Sequence, residues 1–391
     1  LRAAQFRLTS DAAWLTVAPI VTAQARATQV PVRYRPGLLT APGLYVGTVT
    51  ARSPSDSLSG PLFTLTSTIV VPFDLAAQAL VDSGRVIAPG RTQRYFLRAA
   101  VPGRTLRVTA SVADSEDAVF LQLYDPASHP ASGDPDSLVV LGNGKTSTAM
   151  IEIPAEDMPA GVYELDLLNP GSTRATVSLR AQLAPVALAP AARGDGLEAF
   201  NPGATSANIT AAAALVGAER QWEVAGRGAP AETVLVTVPA WAARAEVQVS
   251  MPVAQWEQLT DFGVTVFDSM GQQVHAAALN YARGRQAFEV PEAIAGHTTR
   301  IELFPGFARP DSAPPWKASV RVRFFTDARQ ALGPPHLLNV VAGGRAVLPA
   351  LGSAPPPIEL PEGFAPLIVW RLTPPAGGGG GAAVAFETVQ P

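Results

Sequence analysis

Val101-Pro102-Gly103, Phe120-Leu121-Gln122-Leu123-Tyr124-Asp125, Met150-Ile151-Glu152-Ile153-Pro154 and Ala175-Thr176-Val177-Ser178-Leu179-Arg180 are each echoed later in the chain, in the same order. Their echoes are Val238-Pro239-Ala240, Val264-Thr265-Val266-Phe267-Asp268, Ala287-Phe288-Glu289-Val290-Pro291 and Ala318-Ser319-Val320-Arg321-Val322-Arg323. Asn169-Pro170-Gly171 aligns with Phe304-Pro305-Gly306. The longer blocks alternate apolar and polar residues, and Pro or Gly marks the corners between them, which is the signature of short strands and their turns. A pattern written twice over residues 101–180 and 238–323 describes tandem β-modules.

Composition agrees. Of 391 residues 47% are apolar, so a core is readily built, while only 16% are charged, against about 25% in an ordinary soluble domain. The difference is made up by small residues and by 37 Pro, which break helices and suit strand ends and edges. The net charge of −3 gives no electrostatic footprint for nucleic acid or an anionic membrane. Lys145 and Lys317 are the only lysines among 29 basic residues, a bias that reads as a GC-rich genome. With no Cys there are no disulfides, zinc thiolates or cysteine nucleophile. No apolar run reaches the roughly 20 residues that span a bilayer. The chain opens at Leu1, already strand-like by Phe6-Arg7-Leu8-Thr9, and reads as a fragment of something longer.

Outward from the repeat, four units are expected. Residues 1–72 read as an immunoglobulin-like sandwich with Trp14 and Tyr45 in its core. Residues 73–184 and 195–326 hold the two copies, the second divergent, joined by a Pro/Ala-rich linker from Ala184 to Arg193. Residues 337–391 read as a small or partial β unit in which Leu367–Leu372 pairs with Val384–Val389 across Gly377–Gly381. Ile358–Gly363 is matched to the Ile153-Pro154 and Val290-Pro291 corners. The fold class is all-β, a row of sandwiches of immunoglobulin-like and jelly-roll-like type.

Several strings imitate catalytic motifs. Asp82-Ser83-Gly84 has the form that surrounds a subtilisin-type Asp, and Thr146–Met150 and Thr205-Ser206-Ala207 faintly match the serine string. A serine hydroxyl is a weak nucleophile without its His base. None of His129, His275, His297 and His336 has the H-G-T-H context. Gly142–Thr146 resembles the end of a P-loop but has Val139 where the first Gly belongs, and reads as a hairpin turn. Asp114, Glu116 and Asp117, and likewise Asp134 and Asp136, lack calcium-loop spacing and read as solvated loops. Trp222, Trp241, Trp256, Trp316 and Trp370 are candidates for stacking on sugar rings, with core or inter-module packing the simpler reading. Catalytic, cofactor-binding and metal-ligating residues are therefore none.

Two resemblances remain. Residues 96–103, Leu121–Pro126 and Pro159-Ala160-Gly161-Val162-Tyr163-Glu164-Leu165 resemble the pre-peptidase C-terminal (PPC) domain, a β-sandwich appended to secreted bacterial peptidases; in the second copy Ala295-Gly296-His297 replaces the P-A-G-x-Y corner. Arg33–Leu38, Gly43-Leu44-Tyr45, Gly60–Phe63 and Pro89–Phe96 resemble, in order and spacing, the region that follows the catalytic domain in subtilisin-like peptidases of the tripeptidyl-peptidase II type. The resemblance implies a non-catalytic accessory or scaffolding region of an exported, secreted, periplasmic or cell-surface bacterial serine peptidase. It implies the chain's own upstream catalytic domain as partner, with homo-oligomerisation open, and a triad outside this chain. Two other classes stay open: a carbohydrate- or surface-binding array, which exposed Trp would favour, and a structural cell-surface or filament subunit, which a docking edge strand would favour.

Overall fold

A computed structural model describes residues 4–23, 28–54, 60–113, 118–128, 130–131, 139–142, 148–191, 196–227, 232–256, 259, 261–279, 283–306, 315–349, 358–375 and 381–388. The protein is all-β: apart from two 3₁₀ turns and the one-turn helix Val253–Trp256, the regular elements described are strands.

The repeat is reproduced strand by strand. In the first copy one sheet runs Thr148–Ile153, Arg104–Val112, Ala175–Pro190, with Leu80–Ile87 also on the last strand. Facing it lie Val139–Gly142, Ala118–Tyr124, Gly161–Leu168 and Thr92–Ala99. The second copy has the same two orders: Arg283–Glu289, Arg244–Ser250, Pro315–Ala331, Ala207–Arg227, and Gln273–Leu279, Asp261–Phe267, Thr298–Gly306, Glu232–Thr237. Register agrees as well. Val108 opposes Ile151 and Ala181, and its echo Ala245 opposes Phe288 and Phe324. Alternation places Leu106, Val108, Ala110 and Leu121, Leu123, Leu165 inward in the first copy. Val247, Val249, Val264, Val266 and Ile301 do the same in the second.

The expected linker from Ala184 does not exist as such. Ala175–Pro190 is one strand of 16 residues, about three times the usual length. Its buried face changes over part-way. Ala175, Val177, Leu179, Ala181 and Leu183 enter the first copy's core, whereas Ala184, Val186 and Leu188 enter another core on the opposite face. The switch lies at a bulge: Leu106 opposes Leu183 and Arg104 opposes Ala187, leaving Pro185 inside the irregularity, where its missing N–H breaks no ladder. Ala207–Arg227, with 21 residues, switches in the same way at Val216. Ile209, Ala211, Ala213 and Leu215 face the intermediate core, and Ala218 faces that of the second copy. Gly217 sits at this bulge because a Cβ there would lie 1.8 Å from the Phe324 carbonyl oxygen.

The intermediate core also takes Ile368, Trp370, Leu372, Ala383 and Ala385. The stretch 337–391 thus shares its core with residues 184–215 instead of building one of its own. Leu367–Leu372 does pair with Ala383–Thr388, as the sequence suggests. One sheet of this middle sandwich is Ala383–Thr388, Ala365–Thr373, Ala207–Arg227, His336–Val340; the other is the end of Ala175–Pro190, then Leu197–Phe200 and Arg345–Val347. This pairing repeats that of the first copy with the strands permuted along the chain. Leu197–Phe200 and Ala207–Arg227 stand for Gly161–Leu168 and Ala175–Pro190, while His336–Val340 and Arg345–Val347 stand for Leu80–Ile87 and Thr92–Ala99. The second copy is inserted within this permuted module.

The corner residues carry the same message. Asn169 donates from Nδ2 to the carbonyls of Ile87 (2.9 Å) and Thr173 (2.8 Å) and accepts at Oδ1 from Gly171 N–H (2.9 Å). Asn201 donates from Nδ2 to Val340 (2.8 Å) and Thr205 (2.8 Å) and accepts from Gly203 N–H (2.9 Å). The true counterpart of Asn169-Pro170-Gly171 is therefore Asn201-Pro202-Gly203. Phe304-Pro305-Gly306 ends the strand Thr298–Gly306, one residue out of step with the pairing of Leu303 opposite Val264.

The first unit is the sheet Ile20–Ala23, Ala4–Ser10, Gly43–Arg52, Phe63–Val71, with Leu15–Val17 and Val32–Tyr34 across from it. Leu8, Trp14, Leu15, Val49 and Ala51 form its small core, and Tyr45 packs against them. After Pro72 the chain adds Phe73–Asp74 in parallel to Thr92–Ala99, which ties the unit to its neighbour.

Candidate functional site

The enzyme-like strings resolve into structure. Asp82 lies in the strand Leu80–Ile87, where its Oδ2 accepts from Arg85 Nε (2.9 Å), Arg85 Nη2 (2.7 Å) and the Tyr95 hydroxyl (2.8 Å). Gly84, at φ +71°, marks an irregularity opposite Ser178, whose hydroxyl accepts the Gly84 N–H at 3.3 Å. His275 stacks on Phe288 with ring centroids 4.5 Å apart, and His297 and His336 are exposed. His129, Asn143–Ser147 and the acidic clusters Asp114–Asp117 and Asp134–Asp136 lie outside the described residues. Among the described residues no three His, Asp or Glu side chains are grouped to hold a metal ion.

The tryptophans face inward. Trp316 and Trp370 are each 2% exposed, and Trp370 Nε1 donates to Glu387 Oε2 at 2.6 Å. Trp222, Trp241 and Trp256 are half-buried against the second copy's core, and Trp241 Nε1 donates to the Glu359 carbonyl at 2.9 Å. These rings pack within and between modules.

What the three sandwiches do bring together is a charged junction that alternation alone does not reveal. Pro154 stops the strand Thr148–Ile153, and the 3₁₀ turn Ala155–Asp157 projects Glu156 and Asp157 from the first copy toward the second. There Arg323, 2% exposed, lies 2.5 Å from Glu219, 3.6 Å from Glu156 and 3.7 Å from Glu246. Asp157 meets Arg321 at 3.6 Å. The C-terminal strand closes the arrangement. The Phe386 ring lies 4.7 Å from the Arg323 guanidinium carbon, Phe386 N–H donates to Glu156 Oε2 (3.3 Å), and the Thr388 hydroxyl donates to Glu219 Oε1 (2.8 Å). Burial pulls the Arg323 guanidinium down, but Glu219, Glu246 and Glu156 outweigh it and hold the group above its ordinary value. Burial raises the Glu156 carboxyl against the pull of Arg323. One arginine thus joins three elements that are remote in sequence. A second tie runs beside it: the buried Thr105 hydroxyl donates to the Val384 carbonyl (3.0 Å) and accepts the Val384 N–H (2.6 Å).

A further carboxylate is perturbed on the outer face of the first copy. Burial, then the neighbouring Glu164, pushes the Asp166 carboxyl up from 3.8 to about 6, with Arg94 at 4.0 Å opposing.

The junction thus sets the buried Arg323 among three carboxylates and pairs Arg321 with Asp157 where the modules meet. Comparison with solved structures agrees in fold. The crystal structure of tripeptidyl peptidase 2 (TPP II) aligns with the whole of this chain at a TM-score of 0.53 and 12% identity. The fold is similar to that of a stretch of TPP II. The chain spans 36% of the length of that structure, and at this identity the likeness is one of fold alone. The PBSX exported protein XepA aligns over 66% of this chain and 90% of its own at a TM-score of 0.22 and 10% identity. The tandem CBM22 domains of Paenibacillus barcinonensis Xyn10C align over 72% and 91% at 0.20 and 9%. Neither superposes well enough to carry an argument. No protein-family model matches the sequence, and no curated protein does.

Proposed function

We propose that the chain is the non-catalytic bracing region of an exported subtilisin-like serine peptidase, with PPC-like modules, whose Ser-His-Asp triad lies outside it. The observation that carries this reading is the likeness of fold to TPP II along the chain's entire length. The shared strands and the Arg323 junction support a rigid scaffold over a string of independent binding modules. The first unit supplies the surface for the catalytic domain. Leu44, Val46 and Val70 are exposed on one face of its sheet, and Phe63 and Leu65 lie exposed on the edge strand. Exposed apolar residues on the outer face of a sheet and along its edge strand suit docking against a partner.

The full reading frame tests the proposal. Upstream D-[ST]-G, H-G-T-H and G-T-S-x-A strings in that order support it, and their absence overturns it. The purified chain is expected neither to cleave fluorogenic peptides nor to react with a fluorophosphonate; a labelled serine in this chain would assign the chemistry here instead.

A further inference from the structure

We propose that the cleft between the first copy and the permuted middle module binds a small carboxylate through Arg104. The cleft has a volume of about 470 Å³ and is lined by Arg104, Pro185, Thr205, Ser206, Asn208 and Pro374, among others. This is the size of a small-molecule site. Arg104 is 8% exposed. Its Nε donates to the Ala184 carbonyl at 2.7 Å, covering an acceptor at the bulge around Pro185. That bond uses one of five guanidinium donors. No carboxylate among the described residues forms an ion pair with Arg104, and the neighbouring Asp74 is engaged by Arg98 at 2.5 Å. Burial pulls the Arg104 guanidinium below its ordinary value, and Asp74 opposes it only in part. A buried cation whose neighbouring carboxylate, Asp74, is already bonded to another arginine is costly, and an anion entering the cleft would relieve the cost.

The fold itself does not require the charge, since the repeat puts Trp241 at the matching position of the second copy. Arg104 is the only charged residue lining the cleft, which suits a monoanion better than a phosphate dianion. The planar fork matches a carboxylate in a two-bond geometry. The Asn201 corner fixes the loop that carries Thr205 and Ser206, two exposed hydroxyl residues that line the cleft. Proline walls leave an apolar side for the rest of the ligand.

The test is titration of the intact, isotope-labelled chain with acetate and succinate, followed by NMR. The Arg104 Nε–H and the amides of Gly203, Thr205, Ser206 and Asn208 should shift together and saturate, while succinamide leaves them unmoved. A short peptide with a free C-terminus, compared with its amidated form, separates the two sources of the group. Loss of binding on amidation identifies a chain terminus, whereas binding of the free acids alone identifies a small metabolite. Arg104→Met should weaken carboxylate binding at least about tenfold, and Arg104→Lys should retain part of it. Absence of saturable shifts in the native chain, or equal response to succinamide, overturns the proposal whether or not the variants fold.

Discussion

Asn169 and Asn201 make the same hydrogen bonds in two different sandwiches. Besides the side-chain bonds, Asn169 N–H donates to Arg91 and its carbonyl accepts from Gly90, and Asn201 N–H donates to Gly344 and its carbonyl accepts from Gly343. Gly90 and Gly343 share a φ of +64°. Each Asn is nearly solvent-free, and its amide satisfies one buried carbonyl, that of Ile87 or Val340, besides one nearer the surface. Asn201→Ala is expected to cost about 1–3 kcal/mol, because it strands the buried Val340 carbonyl. Asn169→Ala should cost a similar amount. Chemical denaturation checks both; a loss under about 0.5 kcal/mol would show that the corners do not hold the modules.

Arg323 should be the most sensitive charged residue. Arg323→Met leaves Glu219, Glu246 and Glu156 close together without a cation, and a loss of about 3–5 kcal/mol is expected near pH 7.5. The loss should shrink as pH falls, as Glu156, whose carboxyl burial already raises, takes up a proton. A pH-independent loss would mean that packing on Phe386, and not charge, is what the arginine supplies.

Asp166 provides a cleaner dependence on pH. Its folded value of about 6 lies above its ordinary 3.8, so between these values the folded chain binds a proton that the unfolded chain releases. Stability therefore falls as pH rises through that window. Asp166→Asn removes the cost and should stabilise by about 1–3 kcal/mol above pH 6, with little effect near pH 3.5. Thermal unfolding across pH 3.5–7.5 reads this; an equal gain at both ends would rule out the titration.

Gly217→Ala should be severely disruptive, since the new Cβ would collide with the Phe324 carbonyl at 1.8 Å. A loss above about 3 kcal/mol, or failure to fold, is expected. Gly263→Ala is the control: its Cβ would meet Phe304 at an ordinary 3.6 Å, so a change within about 1 kcal/mol is expected. Circular dichroism and denaturation of the pair measure the difference.

Much of the fold was open to reading in the residues. Alternation marked the strands and the echoed blocks marked the repeat, which the structure then pairs in matching register, Val108 opposite Ile151 and Ala181 as Ala245 is opposite Phe288 and Phe324. The linker was misread because Ala and Pro carry little hydrophobic contrast. Yet the change of face is visible in hindsight as two successive buried residues, Leu183-Ala184 and again Leu215-Val216. Asn201-Pro202-Gly203 was equally visible, but a search for collinear repeats cannot find a permuted one.

The Arg323 junction had no such signal. Glu219 and Glu246 flank Arg323 through strand pairing within one sheet, and only the docking of the other modules adds Glu156 and Phe386 around the same guanidinium. The sequence by itself determined that this chain is a row of β-sandwiches, because strand period and turn chemistry are local. Only the tertiary structure decided that the sandwiches share strands, that one is permuted around another, and that Arg104 is buried beside a cleft without an ion-pair partner among the described residues. Those relations depend on which distant segments meet and what they exclude from water, and that is not written in any local pattern.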